Sequence, residues 1–284
     1  MFPTSNQVLL SLACASFALG AVAADHGQSI QIPMKDKGWL WDSDIVLEAT
    51  LYKPQGEGPF PVVIFNHGST GGDKEYAKQT VNPWGFGKYL NDKNIALVIP
   101  MRRGRGGSEG SYKEQYTCST EGISEGIEYA TESLDASYQF ILDQPWVNKE
   151  KVMLAGNSRG GVLSLKFASE HPGAFTGVMN FAGGWVDDSC VAGAVSPNVP
   201  TFENAARKLS IPTLFIYGRN DPFYSDESIK TYAMSYENAG GNMDFELYQL
   251  GSGASGHDVF YRYYHLWSGV ADQYLIETKM DVTR

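Results

Sequence analysis

The chain has 284 residues, of which 43% are hydrophobic and 19% charged, a composition that is typical of a globular protein with one large α/β domain. Its formal net charge of −10 argues against a nucleic-acid partner, because phosphate binding requires clustered Lys and Arg. One basic cluster, Arg102, Arg103 and Arg105, lies in a glycine-rich turn. Arginines in such a turn pair more often with local acids and carbonyl oxygens than with a substrate.

The N-terminus is apolar over residues 8–23 and ends in small residues at Ala21 and Ala23, as secretory signal peptides do. We therefore predict a signal peptide over residues 1–23 and a secreted or periplasmic mature chain, with no stable membrane insertion after cleavage. An uncleaved membrane anchor and a lipoprotein modified at Cys14 are the alternatives. One departure from the usual signal is that residues 1–7 contain no Lys or Arg.

Cleavage of this signal would leave Cys118 and Cys190 as the cysteines of the mature chain. In an oxidising compartment two cysteines commonly pair, and both follow predicted strand ends at the same edge of the sheet. A disulfide between them is therefore a prediction. A thiol nucleophile is the alternative, although neither cysteine lies in a strand-to-helix turn.

The first half of the chain predicts edge strands followed by central strands and helices. Alternation of apolar and polar residues indicates the antiparallel edge strands, and continuous apolar runs indicate the buried strands. We predict edge strands over residues 30–33 and 45–52, buried strands over 61–65 and 95–100, and helices over 84–91 and 123–144.

A glycine-containing loop follows the first buried strand and reads Asn66-His67-Gly68-Ser69-Thr70-Gly71-Gly72. The glycines allow backbone N–H groups to bend toward a common point, which is what stabilisation of a tetrahedral oxyanion requires. An ordinary strand-to-helix loop is the alternative interpretation.

The sequence is organised around residues 151–170, where an apolar strand runs into Gly156-Asn157-Ser158-Arg159-Gly160 and then into a helix. A serine in such a sharp turn needs small neighbours, and Gly156 and Gly160 provide the space. The turn exposes the Ser158 hydroxyl above the strand ends, beside the N-terminus of the helix. This pattern predicts a nucleophile, and a chance match in a glycine-rich turn is the alternative.

The second half of the chain continues the alternation of strands and helices, so we predict a mostly parallel central sheet flanked by helices. An irregular stretch over residues 182–200 is predicted to be a loop, and a small cap or lip is predicted near 184–205 on a single domain over 24–284. We predict further strands over 177–181, 212–217 and 243–250 and helices over 225–239 and 259–276.

Ser158 needs a base to take its proton, and histidine is suited to that role near neutral pH. His257 is the candidate because it follows the last strand on a glycine-rich loop, and Asp221 is the candidate acid to orient it. The other histidines are assigned structural roles or none: His26, His67, His171 and His265. The rival acids are Asp187, Asp188, Asp226 and Asp258.

The order Ser158, Asp221, His257, each after a separate strand, resembles the α/β-hydrolase superfamily. Within it, Asn66-His67-Gly68 and the turn Arg103-Gly104-Arg105-Gly106-Gly107-Ser108 are similar to the dienelactone-hydrolase-like and prolyl-oligopeptidase-like branch. The resemblance covers roughly residues 45–280 and implies an α/β-hydrolase fold. It also implies that the backbone N–H groups of Arg159 and Ser69 are the oxyanion donors.

Two departures from this branch limit what the resemblance implies. Dienelactone hydrolases proper carry a cysteine where this chain has Ser158, so lactone specificity does not follow. Oligopeptidases carry an accessory domain, for which this chain has no room.

Together these residues predict a serine hydrolase that acts through an acyl-enzyme, most simply on carboxylic esters, with a small-molecule or short peptide-like acyl substrate. No metal and no organic cofactor are expected. An amidase or peptidase that uses the same three residues is the first alternative. A binding protein on a hydrolase fold is the second, because a fold alone does not fix a function. The acyl group, the leaving group and the oligomeric state are left open.

Overall fold

A computed structural model describes residues 27–38, 41–70, 74–114, 118–185 and 195–281. Within these ranges one mixed sheet organises the chain. Its strands are β1 (Gln28–Asp36), β2 (Ser43–Tyr52), β3 (Phe60–Asn66), β4 (Ala96–Pro100), β5 (Val147–Asn157), β6 (Val178–Phe181), β7 (Thr213–Gly218) and β8 (Met243–Tyr248).

The strands lie in the order β1-β2-β4-β3-β5-β6-β7-β8. β1 pairs antiparallel with β2, and β2 with β4, while all other neighbours pair in parallel. This arrangement confirms the predicted mostly parallel sheet with antiparallel N-terminal edge strands. It also brings the C-terminal ends of β3, β5 and β7 to one edge of the sheet.

Helices cover the faces of the sheet. They are α1 (Lys74–Ala77), α2 (Trp84–Asn91), α3 (Thr120–Leu142), α4 (Arg159–Glu170), α5 (Val195–Lys208), α6 (Asp226–Asn238), α7 (Val259–Arg262) and α8 (Tyr264–Glu277). Serine side chains cap two of them, since Ser119 accepts a hydrogen bond from the Gly122 N–H and Ser225 accepts one from the Ser228 N–H. No helix of the described ranges is both long and apolar enough to span a membrane.

The core lies between the sheet and these helices. Every residue of β3 and of β4 is buried, as expected for parallel strands covered on both faces. Each fully buried Val or Ile there contributes about 1.5–3 kcal/mol of transfer free energy. α4 packs against β3, β5 and β6, so the turn that precedes it is fixed by the most buried part of the molecule.

The structure corrects the predicted loop over residues 182–200, because α5 begins at Val195. α5 packs against α4 and α6, and its Phe202 stacks on Tyr232 with ring centroids 5.0 Å apart. Trp185 is also buried, and its backbone N–H donates to Oδ1 of Asn198 at 2.8 Å. Residues 195–205 of the predicted cap are therefore part of the helical layer, whereas 186–194 lie outside the described residues.

Other differences concern the ends of elements. β5 is longer than predicted, α1 was not predicted, and the C-terminal helix is divided into α7 and α8 at Tyr263. The predicted signal peptide, Cys14 and His26 lie outside the described residues, so a secreted or periplasmic location stays a prediction.

Candidate active site

Ser158 lies in a sharp turn between the end of β5 and the start of α4, with φ +56° and ψ −124°. A non-glycine residue in such a region costs about 1–3 kcal/mol and persists only where its surroundings hold it. Here the Ser158 N–H donates to the Phe181 carbonyl oxygen at 2.9 Å, and the Gly184 N–H donates to the Ser158 carbonyl oxygen at 3.3 Å. β6 and the segment after it thus fix the backbone of this serine.

The glycines around Ser158 are required by close approach of the backbone. A Cβ on Gly156 would lie 2.2 Å from the Gly160 oxygen, and one on Gly160 would lie 1.8 Å from the Asn66 oxygen. A Cβ on Gly68 would lie 3.0 Å from the Cβ of Ser158. The structure therefore explains why small residues are needed on both sides of Ser158. It also shows that the loop after β3 lies directly against this serine.

Asp221 and His257 form a hydrogen-bonded pair. Nδ1 of His257 lies 2.8 Å from Oδ2 of Asp221, whose side chain is fully buried. The other carboxylate oxygen accepts the N–H groups of Phe223, at 2.8 Å, and Tyr224, at 3.2 Å. These two bonds fix the carboxylate so that Oδ2 faces the imidazole. Nδ1–H can then only donate to Asp221, which leaves Nε2 as the basic nitrogen.

Ser158 and His257 line one cavity of about 270 Å³, at the C-terminal edge of the sheet. Gly68, Ser69 and Arg159 line it as well. No hydrogen bond joins the Ser158 hydroxyl to the imidazole in the described part of the chain, and such bonds often tighten only when substrate binds. The structure thus brings the five predicted site residues around one cavity, with Asp221 reaching it through His257.

The rival acids and histidines have other partners or positions. Asp226 pairs with Arg219 at 2.5 Å, and Asp258 lines the cavity but pairs with Arg262 at 3.3 Å. His171 donates from Nδ1 to the Phe167 carbonyl oxygen and stacks on the Phe167 ring, and His265 lies on α8. Asp187 and Asp188 lie outside the described residues.

His67 braces the loop after β3, as the sequence analysis predicted. Its Nδ1–H donates to the Gly68 oxygen at 2.7 Å, and its Nε2 accepts the Arg102 N–H at 3.1 Å. Complete burial, aided by the positive charge of Arg102, holds the pKa of His67 well below its usual range. His67 is therefore neutral and has both ring nitrogens occupied, so it is unsuited to act as the base.

The arginine cluster is structural rather than substrate-facing, again as predicted. Arg102 donates to the carbonyl oxygens of His67, at 2.7 Å, and Gly68, at 3.3 Å, and forms a buried ion pair with Glu114. Arg103 pairs with Asp36, and the Arg105 guanidinium lies 3.4 Å from the ring centroid of Tyr112.

Sequence reasoning missed three residues that contact Arg159 or His257 of the candidate site. Glu114, which pairs with Arg102, also lies 3.7 Å from Nη1 of Arg159. Nη1 of Arg159 donates to the Tyr112 hydroxyl oxygen at 3.1 Å. Phe223 packs its ring edge-on to His257, with centroids 4.6 Å apart. The sequence offered no signal for these contacts, because they join residues from separate segments of the chain.

Only one of the two cysteines of the predicted disulfide is among the described residues. Cys118 is disulfide-bonded in the structure, whereas Cys190 lies outside the described residues. The pairing of these two cysteines therefore stays a prediction.

A family model for the dienelactone hydrolase family matches residues 47–255. The chain belongs to the dienelactone hydrolase family. The matched range begins in β2 and ends just before His257, so it contains the Ser158 turn and Asp221. Membership of this family makes the protein a hydrolase and confirms the resemblance found in the sequence.

Solved structures similar to this hydrolase share its fold at low sequence identity. Est1E of Butyrivibrio proteoclasticus with ferulic acid bound has a TM-score of 0.58 at 16% identity, covering 82% of this chain and 96% of Est1E. An esterase of Pyrococcus furiosus has a TM-score of 0.61 at 14% identity, and the match covers 89% of this chain and 91% of the esterase. An acylaminoacyl peptidase has a TM-score of 0.57 at 15% identity, and the match covers 86% of this chain and 41% of the peptidase. These likenesses confirm the α/β-hydrolase fold.

No curated protein sequence matches the chain.

Proposed function

We propose that this dienelactone hydrolase family member hydrolyses carboxylic esters through an acyl-enzyme formed on Ser158. The observation that carries the proposal is the 2.8 Å pairing of the His257 imidazole with the buried Asp221 carboxylate, beside the cavity that Ser158 also lines. A histidine oriented in this way by a carboxylate has the arrangement needed to activate a neighbouring serine.

In the first half of the reaction, Oγ of Ser158 attacks the ester carbonyl carbon while Nε2 of His257 takes its proton. The imidazolium that forms is stabilised by Asp221, which remains ionised. The carbonyl oxygen becomes an anion in the tetrahedral intermediate. When this intermediate collapses, His257 gives its proton to the leaving alkoxide, and the acyl group stays bonded to Ser158.

The backbone N–H groups of Arg159 and Ser69 are the proposed donors to the oxyanion. Arg159 is the first residue of α4, where the backbone N–H groups point along the helix axis toward the cavity and the helix dipole favours negative charge. Ser69 lies across the same cavity on the loop braced by His67 and Arg102. Donors fixed in position before the charge develops are the most effective ones.

In the second half, a water molecule enters where the alcohol left, and His257 removes a proton from it. The water oxygen attacks the acyl carbon, a second oxyanion forms at the same position, and the intermediate collapses to release the carboxylic acid. His257 returns its proton to Oγ of Ser158, which restores the starting state. Both halves of the reaction thus use Ser158, His257, Asp221, the two backbone N–H donors and water.

Ester hydrolysis is favoured over amide hydrolysis by the family and by the esterases among the similar structures. The similarity to an acylaminoacyl peptidase makes an amidase or peptidase the second candidate. Both reactions would use the same residues, so the leaving group decides between them.

Measuring kcat/KM for a matched ester and amide, with identical acyl groups and similarly sized leaving groups, separates these candidates. We expect the ester to be hydrolysed with a kcat/KM at least about a thousandfold higher, because an ester carbonyl is more electrophilic than an amide carbonyl and an alcohol is the better leaving group. An amide turned over as fast as its ester would assign the protein to the peptidase class instead.

A further inference from the structure

A groove of about 460 Å³ lies between α2 and the C-terminal helices α7 and α8. We call it the aromatic groove. Its floor is formed by the buried rings of Phe86, Phe260 and Trp267, which pack edge-on or stacked with centroids 5.4–6.0 Å apart. This packing makes the floor rigid and apolar.

The rim of the aromatic groove carries three aromatic side chains that are about half exposed to solvent. Trp84 is 58% exposed, Tyr261 49% and Tyr264 48%. Exposed aromatic rings around an apolar concave surface are typical of a ligand site rather than of an ordinary surface.

Tyr261 is shared by the aromatic groove and the candidate active site. It lines the groove, and it also lines the cavity that contains Ser158 and His257. A molecule whose ester carbonyl lies against Ser158 could therefore extend past Tyr261 into the groove. The groove lies outside the residues to which the proposed mechanism assigns a task.

Three polar side chains of the groove already have partners within the protein. Lys88 and Asp92 pair with each other at 2.9 Å, and Oδ1 of Asn82 accepts the Tyr52 hydroxyl at 2.6 Å. A sugar presents many hydroxyl groups, and those placed on the apolar floor of Phe86, Phe260 and Trp267 would lose water partners without gaining protein partners. A flat apolar ring loses nothing of this kind and gains contact with the aromatic surfaces.

We propose that the aromatic groove binds an aromatic ring carried by the substrate, so that the preferred substrates are esters bearing an aryl group at a distance from the scissile bond. This inference rests on the proposed esterase function. The ring can be attached on either side of the ester, and the substrates of the test decide which.

The test compares esters that differ only in a terminal phenyl ring. Phenylpropyl acetate against propyl acetate places the ring on the alcohol side, and methyl phenylpropanoate against methyl propanoate places it on the acyl side. In one of these pairs we expect the aryl ester to have a kcat/KM at least about tenfold higher, from burial of the ring and its contact with other rings. The pair that shows this preference identifies the side that enters the groove.

Trp84→Ala is expected to reduce that aryl-to-alkyl ratio about fivefold to tenfold, because it removes a stacking surface from the rim. Trp41→Ala is the matched control, since Trp41 is 74% exposed and lines neither cavity, and it should leave the ratio unchanged. A ratio near one in the parent for both pairs, or a ratio that Trp84→Ala does not alter, would overturn the proposal.

A binding measurement keeps this proposal separate from the esterase assignment. Calorimetric titration of the Ser158→Ala protein with phenylpropanol should show binding that the additional Trp84→Ala change weakens. If the parent hydrolyses no ester, the esterase assignment fails, and this titration alone decides on the groove. Stronger Trp84-dependent turnover of acetylated glycosides, or self-association that Trp84→Ala abolishes, would assign the groove to a carbohydrate or to a second copy of the chain.

Discussion

Replacing Ser158 with alanine is expected to lower kcat/KM for a simple ester by about four to six orders of magnitude. The variant keeps the imidazole and the backbone donors but has no oxygen that can form the acyl-enzyme. Because the cavity then holds only water as a nucleophile, the remaining activity should come from transition-state binding alone. The measurement is steady-state hydrolysis at high enzyme concentration, with enzyme purified separately from any parent protein.

Ser252→Ala is the matched control, because Ser252 is exposed on the loop before His257 and lines neither cavity described here. It should retain parent activity. The melting temperature of Ser158→Ala should stay within a few degrees of the parent, since the strained backbone is held by its hydrogen bonds to the Phe181 carbonyl oxygen and from the Gly184 N–H rather than by the hydroxyl. A folded Ser158→Ala protein with parent kinetics would remove Ser158 from the mechanism.

Replacing Asp221 with asparagine is expected to lower kcat/KM by about three to four orders of magnitude. The amide oxygen can still accept the N–H groups of Phe223 and Tyr224, so the turn should persist. The amide nitrogen would then occupy the position of Oδ2 and donate to Nδ1 of His257. That bond favours the imidazole tautomer with its proton on Nε2, and a protonated Nε2 cannot accept the serine proton. The substitution also removes the negative charge that stabilises the imidazolium.

Asp226→Asn distinguishes this effect from a general loss of acidic charge near the site. Asp226 is one of the rival acids of the sequence analysis, and in the structure it pairs with Arg219 instead of a histidine. We expect its replacement to change kcat/KM by less than about threefold. Equal losses for the two variants would mean that the Asp221–His257 hydrogen bond has no special role.

Much of the fold was predictable because its strands are buried on both faces. The continuous short apolar runs of β3, β4 and β7 are typical of such strands, and the strand, glycine-flanked serine and helix around Ser158 specify one another locally. Gly160 shows the strength of this local constraint, because any side chain there would collide with Asn66.

The candidate acid and base were predictable for a different reason. Parallel strands end at a common edge, so residues that follow different strands can meet there. Asp221 follows β7 and His257 follows β8, and this order reduced many carboxylates and histidines to one pair.

What sequence reasoning missed depends on contacts between distant segments. α5 contains Pro200, which breaks the usual pattern of a helix, and only its packing through Phe202 identifies it. The bond from Arg102 to Glu114 and the position of Trp84 and Tyr261 on one groove likewise arise from tertiary packing. None of these pairs leaves a periodic signal in the sequence.

The central claim is that His257 and Asp221 make the hydroxyl of Ser158 a nucleophile. Reaction with a fluorophosphonate probe, followed by peptide mapping in a mass spectrometer, tests this claim most directly because the probe reacts far faster with an activated serine hydroxyl than with an ordinary one. We expect one adduct per chain, located on Ser158, and much slower labelling of the Asp221→Asn protein. A correctly folded parent protein that takes up no probe, or takes it up at another residue, would contradict the claim.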